Sequence, residues 1–170
     1  LEPTSLTLSW PMASDDTFVA TYRVYRDGLL EKTLPSAKSK IKITELDEAE
    51  TVSLSVVALD EAGNTSQALT LTVQTGDETP PAWPGEMSLI ASYTWATGIF
   101  LSWTPASDNV QVSEYRIMDG ETIARTIVGA TQGDVSTLKP WSEYTLYVVA
   151  VDGVGNISKP GPSLTFKTPD

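Results

Sequence analysis

The chain of 170 residues contains no cysteine and no histidine. Without cysteine there is no disulfide framework, no thiolate nucleophile and no Cys-ligated metal. Without histidine there is no Ser-His-Asp or Cys-His pair and no His-ligated zinc or haem. Positive charge is scarce: 11 Lys and Arg stand against 22 Asp and Glu, for a net charge of −11. That balance argues against nucleic acid, whose phosphates need clustered basic side chains, and against an anionic membrane surface. Long apolar runs are missing too. Runs such as Val148–Val151 are far too short to span a bilayer. Leu1-Glu2-Pro3 is not a charged leader followed by an apolar stretch. With no initiating Met either, the chain reads as a piece of something longer. No 3.6-residue periodicity is sustained, so helices are not expected.

What is present is a duplication. Apolar residues are 41% and charged residues 19% of the chain, a composition that builds a core rather than a disordered tail. Leu8-Ser9-Trp10 returns as Leu101-Ser102-Trp103, and Tyr22-Arg23-Val24 as Tyr115-Arg116-Ile117. Asp27-Gly28 returns as Asp119-Gly120, and Ala58–Ser66 as Ala150–Ser158. The boundary falls in a Pro-rich tie at 77–85, between a first module at 1–76 and a second at 86–170. Adjacent prolines lack N–H donors and favour a stiff, extended backbone. Val52, Leu54, Val56 and Ala58 alternate with Thr51, Ser53, Ser55 and Val57, the period of a half-buried strand. Tyr144, Leu146, Val148 and Ala150 form the same face in the second copy. Asp-Gly between apolar runs predicts a tight hairpin in each copy, with positive φ at both turn residues. The fold expected is all-β, with two tandem sandwiches.

The second copy resembles a fibronectin type III module, an immunoglobulin-like β-sandwich. Ile99–Thr104 is similar to strand B with its core Trp103. Ser107–Val110 with Tyr115-Arg116-Ile117 is similar to the loop into strand C. Leu138-Lys139-Pro140 with Tyr144 is similar to the strand E to F corner, and Ala150–Ser158 to the end of strand F and its turn. The resemblance is to tandem accessory modules of bacterial extracellular carbohydrate-active enzymes of the chitinase and cellulase type. It implies a Tyr144 hydroxyl bonded back to nearby backbone; Val52 stands there in the first copy, so that bond should be absent. It also implies a strand A at Glu86–Ser92, for which the first copy has only four residues before Ser5. The first module is therefore expected to lack strand A, to leave strand B as an open edge, and to be the less stable of the two.

Carboxylates are the one catalytic residue type left in quantity. Asp15-Asp16 and Asp47-Glu48-Ala49-Glu50 fall in short loops, where carboxylates are solvated and ionised, and a glycosidase needs one held protonated. No catalytic residue, cofactor or metal ligand is assigned. The turns Asp60–Asn64 and Asp152–Asn156 lack the ligand alternation of an EF-hand loop and read as Asp-capped turns with Gly and Asn left-handed. By the family topology, the module junction gathers Asp27, Asp47, Glu48, Asp77 and Glu78 with Asp108 and Asp152. Whether that acidity binds calcium or is screened surface charge stays open.

The candidate contact surface is aromatic. The resemblance places Trp95 and Trp141 near one pole of the second module, where they either cover the core, meet a neighbouring domain or stack on sugar. Trp83 in the tie is expected to wedge between modules. Arg116, Met118, Tyr147 and Val149 should point outward from one sheet as a small contact patch. The function expected is a monomeric, non-catalytic spacer in a secreted or cell-surface bacterial protein, with its flanking domains as partners. A carbohydrate- or protein-binding module using the exposed aromatics, with a polysaccharide or cell-wall partner, is the alternative.

Overall fold

The computed structural model describes residues 2–170. The chain forms two compact units, Leu1–Glu78 and Thr79–Asp170. Unit 1 contains β1 (Leu6–Ser9), β2 (Thr21–Arg26), β3 (Leu29–Pro35), β4 (Lys40–Ile43), β5 (Thr51–Leu59) and β6 (Leu69–Gln74). Its sheets are β1-β4 and β3-β2-β5-β6. Unit 2 contains β7 (Leu89–Trp95), β8 (Gly98–Trp103), β9 (Val112–Asp119), β10 (Thr122–Val128), β11 (Gln132–Val135), β12 (Glu143–Asp152) and β13 (Ser163–Lys167). Its sheets are β11-β8-β7 and β10-β9-β12-β13. Every strand pair is antiparallel. Each unit is a two-layer sandwich. No residue described is in an α-helix.

Period-two alternation builds both cores. Val52, Leu54 and Val56 of β5 are buried between exposed or half-buried neighbours, and Ala58 and Leu59 at its end are both buried. Leu146, Val148 and Ala150 of β12 are fully buried. In unit 1 Trp10 meets Tyr22 edge-on at 5.5 Å, and in unit 2 Trp103 meets Tyr115 edge-on at 5.5 Å. Such an aromatic pair adds about 0.5–1.5 kcal/mol beyond area burial. Each tyrosine then uses its hydroxyl to fix the loop that follows the tryptophan. The Ala13 N–H donates to Tyr22 at 2.7 Å and the Ala106 N–H to Tyr115 at 3.0 Å.

The two hairpins differ. Asp27 and Gly28 have φ of 49° and 81°, the two left-handed residues of a type I′ turn. In unit 2 Asp119 instead pairs with Thr122, and the turn is Gly120-Glu121 with positive φ at Gly120 alone (58°). One residue of slip places glycine first, as a type II′ turn requires. The aspartate thus lies in the strand, contrary to the expectation for this copy.

The corner before β12 carries the expected bond: the Lys139 N–H donates to the Tyr144 hydroxyl at 2.9 Å. Val52, its counterpart, is fully buried. A second corner device, not anticipated, occurs in both units. The Thr75 hydroxyl donates to the Asp47 carbonyl and accepts from the Glu50 N–H. The Thr168 hydroxyl donates to the Lys139 carbonyl and accepts from the Ser142 N–H. Both threonines are buried, so a fully used hydroxyl is what makes them tolerable there.

The units part company beside the strand that carries the core tryptophan. β8 has β11 on one side and β7 on the other. β1 has β4 on one side, and among the described residues no strand lies on the other.

Candidate functional site

The two dense carboxylate runs lie in bends and turns, as their sequence suggested. Asp15 and Asp16 are exposed. Asp15 accepts from the Thr17 hydroxyl and N–H, and these bonds hold its carboxyl below the ordinary value. A general acid at neutral pH needs the opposite shift. The cluster at 47–50 forms a corner, with the Asp47 N–H donating to the Glu50 carboxylate at 2.8 Å.

The paired Asp-to-Asn turns are closed by their own backbone. The Asp152 Oδ1 accepts from the N–H groups of Val154, Gly155 and Asn156, and Oδ2 from the Asn156 side chain. Burial pushes the Asp152 carboxyl up. The Asn156 side chain and then the backbone donors outweigh that and leave it low. At Asp60 the Asn64 side chain, against weaker desolvation, lowers the carboxyl. Gly63 and Gly155 have φ of 90° and 101°, whereas neither asparagine is left-handed. These are Asp-capped turns.

The aromatic candidates fall in separate places. Trp83 is docked on unit 2. Its indole N–H is 3.0 Å from both the Ser158 hydroxyl and the Lys159 carbonyl, and its ring lies 6.0 Å from Tyr115. Ala82 bridges to Ser107, and a Cβ on Gly161 would overlap the Trp83 ring. The tie expected over 77–85 is thus held against unit 2 from Ala82 onward. The wall around it, with Pro80, Pro81, Met87 and Pro160, forms an open apolar groove of about 490 Å³.

Trp141 is 63% exposed and does not cover the core. It sits in the corner loop with φ of 55°, as its counterpart Ala49 does with φ of 54°. The Lys167 ammonium lies 5.3 Å from its ring centroid, a cation–π contact. Tyr147 and Met118 are register neighbours, as are Val149 and Arg116. The Tyr147 hydroxyl donates to the Gly120 carbonyl at 2.8 Å, and Arg116 pairs with Glu114 at 2.6 Å. Val149 is only 7% exposed, so the patch expected to display it does not. Arg116, Met118 and Tyr147 are half-buried and serve cross-strand packing.

Trp95 gains a partner that the sequence reading missed. Tyr93 and Trp95 stack at 5.8 Å between centroids with planes 21° apart. The cause is an irregularity between Ala91 and Tyr93. Before it, Leu89 and Ala91 oppose the inward Trp103 and Leu101; after it, Tyr93 opposes the outward Phe100. One extra residue switches the face that the odd positions occupy. Trp95 opposes Gly98, where a Cβ would overlap its ring. Tyr93 is 67% exposed, and Gln132 and Asp134 oppose Ser102 and Phe100 on the next strand. The result is an aromatic surface with polar groups beside it.

Two-layer sandwiches with paired Trp–Tyr cores and Asp-capped turns define a tandem β-sandwich chain. A family model, "Fibronectin type III domain", matches residues 82–167, half of the chain. The chain belongs to the fibronectin type III family. It is similar to Chitinase A1 of Niallia circulans, 32% identical over 170 residues covering 96% of this chain and 24% of that one. It is also similar to Exoglucanase B of Cellulomonas fimi, 30% identical over 174 residues, 97% of this chain and 15% of that one. The chain spans a quarter or less of the length of these two relatives. Among solved structures, the FN1-FN3 domains of chicken CNTN1 match with a TM-score of 0.51 and 16% identity, over 98% of this chain and 62% of that one. That likeness is one of fold.

Proposed function

We propose that this pair is a non-catalytic accessory segment of an extracellular bacterial polysaccharide-degrading enzyme, and that it sets the distance between flanking domains. The observation that carries the reading is the span of the likeness. Nearly the whole chain matches a minor fraction of two bacterial enzymes named for chitin or glucan breakdown. Two β-sandwiches supply stiffness, and the net charge of −11 supplies solubility. In the parent protein, replacing residues 1–170 by a flexible Gly/Ser linker of equal residue count tests it. Turnover of a small soluble substrate should be unchanged, while release from insoluble polysaccharide falls several-fold. Equal activity on both substrates rejects the spacer role.

The Tyr93–Trp95 stack favours a second reading, in which unit 2 touches polysaccharide directly. Flat aromatic faces take the apolar face of a sugar ring, and neighbouring polar groups take its hydroxyls. Tryptophan emission during titration with chitin and cellulose oligosaccharides separates the two readings. A saturable change lost in Tyr93→Ala supports contact, and a flat response leaves the spacer alone. Trp141, Trp83, Tyr147, Met118 and Arg116 are kept as candidate contacts with flanking domains of the same polypeptide.

A further inference from the structure

One face of unit 2 departs from its counterpart in unit 1. Ile90, Ser102 and Gln132 lie in one cross-strand row of the β11-β8-β7 sheet, and Tyr93, Phe100 and Asp134 in the next. Trp95 follows, opposite Gly98. Leu101 and Ile99, which alternate with these residues on β8, are fully buried, so the rows face outward. At the matching places in unit 1, Ser9 opposes Lys40 and Thr7 opposes Lys42. The copies share a core, yet where unit 1 shows hydroxyls and ammonium groups, unit 2 shows aromatic rings and an amide. Its Asp134 has the Arg125 guanidinium 3.9 Å away.

The row at Ile90 opens into a groove of about 270 Å³, lined by Ser88, Ile90, Ser102, Thr104, Thr131 and Gln132 among others, none of them charged. On a chain of net charge −11, an uncharged groove with no basic group favours a neutral occupant over an acidic one. The Ser88 and Thr104 hydroxyls lie 3.2 Å apart there, and a hydroxyl offers one proton and two lone pairs, so both keep capacity for a further bond. At the other end of β7 the Tyr93 ring is 67% exposed and stacks on Trp95. Ring faces take apolar patches, and hydroxyls and amides take polar groups. A ligand that repeats both along its length can use the whole strand. Residues 88–95 extend over roughly 20 Å, the reach of several linked sugars. Trp95 is half-buried while Tyr93 stands out, so the two rings do not form the level platform that a crystalline surface requires. The occupant is therefore a single chain.

We infer that this face binds one neutral glycan chain laid along β7, with a sugar ring on Tyr93 and the hydroxyls of sugars further along in the groove beside Gln132. This rests on the reading of unit 2 as a polysaccharide contact and adds the path, the length and the charge of the ligand. The test is an amide chemical-shift titration of the whole 170-residue chain with chitin and cellulose oligosaccharides, as dimers and as hexamers. At least one hexamer should shift amides at both ends of the path, around Tyr93–Trp95 and around Ser88, Thr104 and Gln132, and leave Lys40 and Lys42 of unit 1 unmoved. Its dimer should bind about tenfold more weakly. Gln132→Ala, at an exposed position, should weaken the hexamer about tenfold and leave the dimer unchanged, and Tyr93→Ala should weaken both. A galacturonate hexamer, which is acidic, should shift neither end. Shifts confined to Tyr93–Trp95, or equal affinity for dimer and hexamer, overturn the extended path and leave the sugar contact standing. Equal binding of the galacturonate hexamer overturns the neutral class. No shifts with any glycan at millimolar concentration overturn this inference and the contact reading together. A dimer of the protein in sedimentation that Tyr93→Ala abolishes, with no response to glycan, assigns the face to a second copy instead.

Discussion

Unit 1 and unit 2 share a core and differ at its borders. Both pin a tryptophan against a tyrosine whose hydroxyl holds the next loop. Both close a corner with a buried threonine and cap a turn with an aspartate. Unit 2 adds a flanking strand, the Tyr144 corner bond and a docked Trp83. The shared devices are those that a sandwich needs to close. Among the described residues the added ones cover surface that unit 1 leaves half-exposed at Leu69 and Leu71.

The largest effect expected is at the core tryptophans. Trp103→Ala should cost about 3–5 kcal/mol and lower the unit 2 calorimetric transition alone; Trp10→Ala should do the same to unit 1. Coupled loss of both transitions would show that the units do not melt separately. Next, the unmodified chain should show two transitions, with unit 1 melting first because Leu69 and Leu71 are half-exposed. Coincident melting breaks the comparison. Tyr144→Phe should then cost about 1 kcal/mol in unit 2, by leaving the Lys139 N–H without its acceptor, and nothing in unit 1.

The capped turns give a pH test. Asp152 and Asp60 are both held below their ordinary value of 3.8, so each stabilises the folded chain while it is ionised in both states. That contribution is complete above 3.8 and disappears as the pH falls below it. Asp152 accepts three backbone N–H bonds, whereas Asp60 accepts one from Asn64. Acid should therefore lower the unit 2 transition more through its turn, and Asp152→Asn should flatten that dependence more than Asp60→Asn does. The smallest effect is at Trp141. Despite its size, Trp141→Gly should change unit 2 by less than about 0.5 kcal/mol, because the ring is exposed and glycine accepts the left-handed backbone without strain.

Much of this was legible from the residues because duplication and period two are local signals. The alternation at Val52–Ala58 and Tyr144–Ala150 marked the core strands. The tyrosine at position 144 marked the corner. What stayed hidden depends on register or on contacts distant in sequence. Nothing in Asp119-Gly120 announces a turn displaced by one residue. Tyr93 faces outward beside Trp95 because of an irregularity that breaks the count by two. Thr75 and Thr168 are ordinary residues until the fold brings them to carbonyls 28 and 29 positions earlier. Trp83 lies 75 positions from Ser158, so proline composition suggested a stiff tie with Trp83 wedged between modules, and its docking on unit 2 was not legible.

The threonine clasps also govern how each unit responds to load. Thr168 follows β13 directly and grips Lys139 and Ser142 in the loop ahead of β12. Tension applied at the C-terminal side of unit 2 therefore meets this side-chain clamp before it reaches the first ladder bond of β13. The strand cannot be unzipped rung by rung until the clamp gives way. The end of β13 is thus held by a side chain outside the sheet together with the backbone bonds of Thr168 and Pro169 to the same loop.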